Sequence, residues 1–229
     1  GKGQKLIDFV EQQMKIPMPG KLKAVLLDLN NPHYAYDLLG VFKSALVPDF
    51  FILSGKEECI NVRDAVKFAN DIGAIPAYAY LGDVGESPTG DKKAEKFEDD
   101  YLDALVPELK KIGFKAITYM PPRNTKPQLF RLQKLCQANG LMEISGVDIN
   151  SSRQEFNCPI LLEPEFRHLV DAAWALIAHE KLAAADPKLG LFHPQNPLAA
   201  QPLEKRIIRY AEIGRKIDNK KPEEAIHLI

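Results

Sequence analysis

The sequence predicts an α/β fold built on parallel strands, and two observations carry that prediction. From Asn61 onward, segments with apolar residues at helical spacing alternate with short apolar runs bounded by glycine, in the order helix–strand–helix–strand–helix–strand. The connections between them are short, as in parallel strands joined by covering helices. Three such units in succession make either part of a barrel or an open α/β sheet. A third observation sets the amino-terminal region apart: residues 4–46 show helical periodicity only, with no strand pattern.

Taken in order, residues 4–15 place Leu6, Ile7, Phe9, Val10 and Met14 at helical spacing, ending before Pro17 and Pro19. A second helix is expected over 21–29 and is broken by Asn30-Asn31-Pro32. A third runs over 34–46 through Tyr36, Leu38, Leu39, Val41 and Phe42, and stops at Pro48. Asn61 caps the next helix, which carries Val62, Ala65, Val66, Phe68 and Ala69 and ends at Gly73. Ile75–Leu81 then reads as a buried strand, although Pro76 fits only a strand start or an edge. Asp91 opens a long charged helix with Leu102, Leu105, Leu109 and Ile112 on one face, kinked or restarted at Pro107 and ended by Gly113. The strand Phe114–Met120, a helix over 126–138, the strand Leu141–Ser145 and helices over 165–184 and 203–217 complete the chain. Residues 1–55 thus form a helical segment, and 56–229 the α/β region.

Several function classes drop out on composition. Of 229 residues, 30 are basic and 31 acidic, leaving a formal charge of −1, which does not indicate nucleic-acid binding. No run approaches the roughly 18 apolar residues of a membrane helix, and no signal peptide opens the chain. Cys59, Cys136 and Cys158 are odd in number and lack a CxxC, so they read as thiols of a cytoplasmic protein. The chain opens Gly1-Lys2-Gly3 without methionine, which reads as a cleavage scar on a piece of a longer protein.

Parallel α/β folds carry their chemistry in the loops after the strands. Those loops here are Gly82–Gly90, Pro121–Thr125 and Gly146–Phe156. Asp148, directly after a strand with Gly146 beside it, suits an oxygen ligand for a metal, a general base or a turn cap. Arg123 and Arg153 could meet above neighbouring strand ends as a bidentate anion clamp, or each could be a solvated loop arginine. Asn124 follows Arg123 in the same loop. Asp83 and Glu86 could reach a metal or cap their loop. His168 and His179 share one predicted helix but lie roughly 16 Å apart along it, too far to share an ion. The acidic and basic run Lys92–Asp100 reads as the wet face of a helix.

The stretch from Arg63 to Asn150 resembles the later half of the polymerase and histidinol phosphatase (PHP) family of metal-dependent phosphoesterases. In that family a helix ending in two small residues leads to a strand ending Ala-His-Pro-Gly. The counterpart here is Asp64-Ala-Val-Lys-Phe-Ala-Asn-Asp-Ile-Gly-Ala-Ile-Pro-Ala-Tyr-Ala-Tyr-Leu-Gly82. The family's next strand begins Gly-hydrophobic, as Gly113-Phe114 does, and a following strand ends Gly-Ser-Asp-x-His. Here that segment is Asn139-Gly-Leu-Met-Glu-Ile-Ser-Gly-Val-Asp-Ile-Asn150. Residues 4–50 look like the small helical insertion that some members carry.

The resemblance implies an α/β fold in the form of a partial, distorted (β/α)7 TIM-like barrel with that insertion. It implies a hydrolase of phosphate esters, acting on a phosphorylated small molecule or nucleotide, with bacterial members in the cytoplasm. Carried over by position, Asp148 stands at a metal-binding aspartate. Tyr80 and Asn150 stand where the family has histidines, which leaves an oxygen-rich set for a divalent manganese, magnesium, iron or zinc ion, suited to manganese or magnesium more than to zinc. Arg123 and Arg153 become phosphate contacts. The family's Asp-x-His-x-His motif and its next His and Glu ligands have no counterpart here, so most metal ligands would belong to a missing amino-terminal half. An open barrel edge would then be covered by that half or by a second copy of the chain. The competing reading is a non-catalytic descendant that binds a phosphorylated ligand or a protein through the same strand ends.

Overall fold

The computed structural model describes residues 2–45, 51–85, 95–147, 149, 152, 156–218 and 220–229, and the structural statements below concern those residues. The chain divides into two compact units, residues 1–59 with 149–156 and residues 60–148 with 157–229.

The first unit is helical. Helix α1 (Lys2–Asp8) runs into a π-helical turn (Phe9–Gln13), and α2 (Gly20–Leu27) and α3 (Tyr34–Ala45) follow. Ile7, Val10, Met18 and Leu26 form its buried core. A side chain at Gly3 would place Cβ 1.9 Å from the Leu26 carbonyl oxygen, so only glycine lets the two backbones approach this closely.

The second unit holds a parallel sheet covered on both faces. It comprises α4 (Val62–Asp71), β1 (Ala77–Ala79), α5 (Leu102–Ile112), β2 (Ala116–Tyr119), α6 (Lys126–Asn139), β3 (Met142–Ser145), α7 (His168–Ala185) and α8 (Leu203–Gly214), with 3₁₀ turns between several of them. The strand order is β1-β2-β3, with Ala77 opposite Ala116 and Ala116 opposite Met142. Side chains alternate across the sheet, as strand geometry requires. Tyr80, Ile117, Tyr119 and Leu141 join Val66 of α4, Val106 of α5 and Leu132 of α6 in one cluster. Ala116 and Met142 join Ala172, Ala175 and Leu182 of α7 and Tyr210 of α8 in another. Helices α7 and α8 meet closely because Gly214 lacks a Cβ, which would lie 2.1 Å from the Trp174 carbonyl oxygen.

Local signals set these boundaries. The Asn61 side chain accepts from the Arg63 amide, Thr125 and Gln128 form a capping box on α6, and Gly113 and Gly140 end α5 and α6 at φ 113° and 58°. Helix α5 begins at Leu102 behind a 3₁₀ turn, later than the expected start at Asp91, which lies outside the described residues. Pro107 sits within α5 without restarting it.

The partial (β/α)7 barrel is not what forms. The structure is mostly helical, and its three-stranded sheet is not closed: β1 and β3 each keep an outer edge without a strand partner among the described residues. The reason lies in the second face. A barrel packs the inner face of its sheet with side chains from its own other strands. Here the alanine-rich α7, together with α8, covers that face, so the sheet is sandwiched between helices instead of curling onto itself. Among the described residues no helix is long and apolar enough to cross a membrane.

Candidate functional site at the strand ends

The loop after β1 is held by two carboxylates. The chain turns at Gly82 with φ 67°, where an added Cβ would lie 2.6 Å from Asn124 Nδ2 and 2.7 Å from the Tyr80 hydroxyl. Glu98, only 3% exposed, accepts hydrogen bonds from the Leu81 amide (2.9 Å), the Gly82 amide (3.1 Å) and the Tyr78 hydroxyl (3.3 Å). Asp99 accepts from the Tyr80 hydroxyl (2.5 Å), the Asp83 amide (3.0 Å) and Gln128 Nε2 (2.6 Å). Asp83 in turn accepts from the Phe97 amide at 2.7 Å. The backbone donors that could have cradled a phosphate here are thus already taken by the chain's own carboxylates.

These contacts tune the groups that make them. Burial pushes the Asp99 carboxyl up, but the bonds from Tyr80, Gln128 and Asp83, with the Arg131 guanidinium nearby, outweigh it and hold the group below its ordinary range. Burial first, then the bond to Asp99, pushes the Tyr80 phenol far up. Tyr78 is pushed up to about 12 by burial and the Glu98 carboxylate. Both phenols therefore stay neutral donors.

The loop after β2 is different. Its turn is closed by Arg123 and Asn124 amides on the Met120 carbonyl, at 2.9 and 3.2 Å. The Arg123 guanidinium carbon lies 5.3 Å from the centre of the Phe97 ring, a cation–π contact. Its Nη2 is buried without a hydrogen-bond partner. Asn124, buried, donates Nδ2 to the Leu81 carbonyl at 2.7 Å, while its Oδ1 is buried and unpartnered. Unpaired buried polar atoms are uncommon, and each costs free energy unless a ligand or water completes it.

Of the residues singled out in the sequence, Arg123, Asn124, Tyr80 and Asp83 come together around the ends of β1 and β2. Glu86, Asp148, Asn150 and Arg153 lie outside the described residues. Tyr80 donates to Asp99, and a neutral phenol so engaged is a poor metal ligand. Among the described residues no three His, Cys, Asp or Glu side chains gather as a metal-binding group. The described residues therefore do not fit a metal cluster at these strand ends.

Glu98 and Asp99 were missed in the sequence because they sit in the charged run read as a wet helix face. The run carries one counter-signal: Phe97 and Tyr101 flank the acids, which is unusual for a solvated stretch. His168 and His179 do share one helix, α7, and have separate partners. His168 Nε2 lies 3.1 Å from Glu143, and His179 Nδ1 accepts from the Leu191 amide at 3.0 Å. No protein-family model matches the chain, and no curated protein or solved structure is detectably similar to it.

Proposed function

We propose that this chain binds a phosphorylated small molecule at the strand ends, with Arg123 contacting the phosphoryl group. The observation that carries the reading is the state of that guanidinium. It is oriented on Phe97, its Nη2 is buried without an acceptor, and none of its N–H groups has an acceptor among the described residues. The neighbouring carboxylates of Asp83, Glu98 and Asp99 are committed to other donors. A planar fork with free donors is suited to a phosphate's oxygens, and partial desolvation strengthens the pair. The resemblance to PHP-type phosphoesterases supports the same ligand class.

Titration with inorganic phosphate, glucose 6-phosphate and AMP, followed by calorimetry, tests the reading. Arg123→Gln is expected to weaken the tightest of these by about tenfold or more, and Arg123→Lys by less, because lysine cannot present the bidentate fork. Equal affinity for the wild-type chain and Arg123→Gln removes this arginine from the site. Hydrolysis of a bound ester is the further step that the resemblance implies, and the segment Ser145–Asn150 supports it because Asp148 follows β3 by three residues. Phosphatase turnover that survives Asp148→Ala would rule out that aspartate as its mediator.

A further inference from the structure

A cleft of about 720 Å³ opens between α6, the start of α7 and α8, beside β3. None of its lining residues belongs to the loops described above. Its volume lies within the range of small-ligand pockets, and its walls include the apolar side chains of Phe130, Leu203, Ile207 and Ile208. Glu143 projects into it from β3. Glu143 Oε2 accepts from the buried Tyr119 hydroxyl at 2.7 Å and lies 3.1 Å from His168 Nε2. Gln133 Nε2 is directed at the Tyr119 hydroxyl oxygen (3.4 Å) and the Glu165 carbonyl (3.3 Å).

The unpartnered polar atoms next to Glu143 are acceptors, while the lining also carries donors in the Gln137 side-chain amide and the Lys134 ammonium. Glu143 Oε1 and Gln133 Oε1 have no donor among the described residues, and in the neutral ring whose Nε2–H donates to Glu143, His168 Nδ1 is a third acceptor. The rim adds Glu165, Glu204 and Asp171 against one lining ammonium, Lys134, with Glu165 3.9 Å from Lys126 Nζ and Asp171 paired with Arg215. Such a lining repels anions and leaves a donor-bearing cation as the complementary guest. Cys136 also lines the cleft, but it is fully buried and burial pushes its thiol up. No activated thiol therefore accompanies the His168–Glu143 pair among the described lining residues.

We propose that the cleft binds a small organic cation, a primary ammonium on an apolar body, with the ammonium on the Glu143 carboxylate and the apolar body between Phe130 and Ile207. The test is an NMR and calorimetric titration of the chain with n-hexylammonium, n-hexanol and hexanoate, which share size and differ in head group. Hexylammonium is expected to bind at least about tenfold more tightly than hexanol, and hexanoate weakest of the three. Glu143→Gln keeps an acceptor for the Tyr119 hydroxyl and is expected to remove that preference. Ile208→Lys, at a half-exposed position on the cleft wall, places a competing ammonium there and is expected to weaken hexylammonium similarly. Arg123→Gln is expected to leave all three affinities unchanged. Equal binding of the amine and the alcohol overturns the proposal. So does an unchanged affinity in a folded Glu143→Gln chain, or no saturable binding of hexylammonium at about 10 mM.

Discussion

Glu98→Gln tests the hydrogen bonding at the end of β1. The exchange is isosteric, so the shape of the site is conserved and only charge and one acceptor are lost. In the wild-type chain Oε1 takes the Leu81 amide and the Tyr78 hydroxyl, and Oε2 takes the Gly82 amide. The glutamine carbonyl can replace Oε1, which turns the new NH₂ toward the Gly82 amide, donor against donor at 3.1 Å. An unsatisfied buried donor costs about 1–3 kcal/mol, and the two surviving bonds fall from charge-assisted to neutral strength, about 1 kcal/mol each. Against this, a buried neutral amide is easier to desolvate than a buried carboxylate. The net expected loss is about 2–3 kcal/mol. Trp174, the chain's one tryptophan, lies in α7 and reports unfolding of the unit that holds the sheet. With a urea dependence of about 2–3 kcal/mol per molar, the midpoint should fall by about 1 M. Hydrogen exchange at the Leu81 and Gly82 amides should accelerate in parallel. A midpoint within about 0.2 M of wild type, with unchanged exchange, would refute the assignment of Glu98 as the group that holds this turn.

Further outcomes follow from the same geometry. Tyr80→Phe removes one of the bonds that hold Asp99 low, so the Asp99 carboxyl should titrate at higher pH by carbon-13 NMR, at a stability cost of about 1–2 kcal/mol; an unmoved titration contradicts the assignment. Gly214→Ala forces α7 and α8 apart against backbone, and is expected to cost about 3 kcal/mol in urea unfolding and to shift the Trp174 emission. His179 is buried with its pKa lowered, chiefly by desolvation, and its Nδ1 already accepts the Leu191 amide. Its unfolded form binds a proton more readily, so its contribution is complete above the ordinary value of 6.5 and is lost as pH falls from there toward the lowered folded value. His179→Gln should flatten the fall in urea midpoint between about pH 6.5 and 5, and an unchanged slope removes His179 as its source.

Much of the local structure was legible because it is fixed by nearest neighbours. The cap at Asn61 and the stop at Gly113 depend only on residues within one helical turn, and they stand where those residues are; the capping box at Thr125 is just as local but was not read from the sequence. Helical periodicity likewise located α4, α6, α7 and α8 to within a few residues. Arg123 and Asn124 could be nominated as site residues because a loop after a parallel strand is where such folds expose polar groups. Neither side chain's surroundings could be read that way.

The sequence by itself determined most of the helices and strands of the second unit, though not the start of α5, and that the strands run parallel, since each pair is joined by a helical connection. Closure of the sheet was settled by tertiary packing. The same apolar runs serve a barrel or a sandwich, and the difference is whether the second face meets other strands or, as here, the alanines of α7. Tertiary structure also decided the fate of Glu98, Asp99 and Glu143. Glu98 and Asp99 lie in a charged stretch and look solvated, and Glu143 is a lone charge in an apolar strand, until the fold brings amides and phenols from residues 16–29 positions away to meet them. Hydrogen bonding of that range depends on where strands and loops converge in space, which no local spacing encodes.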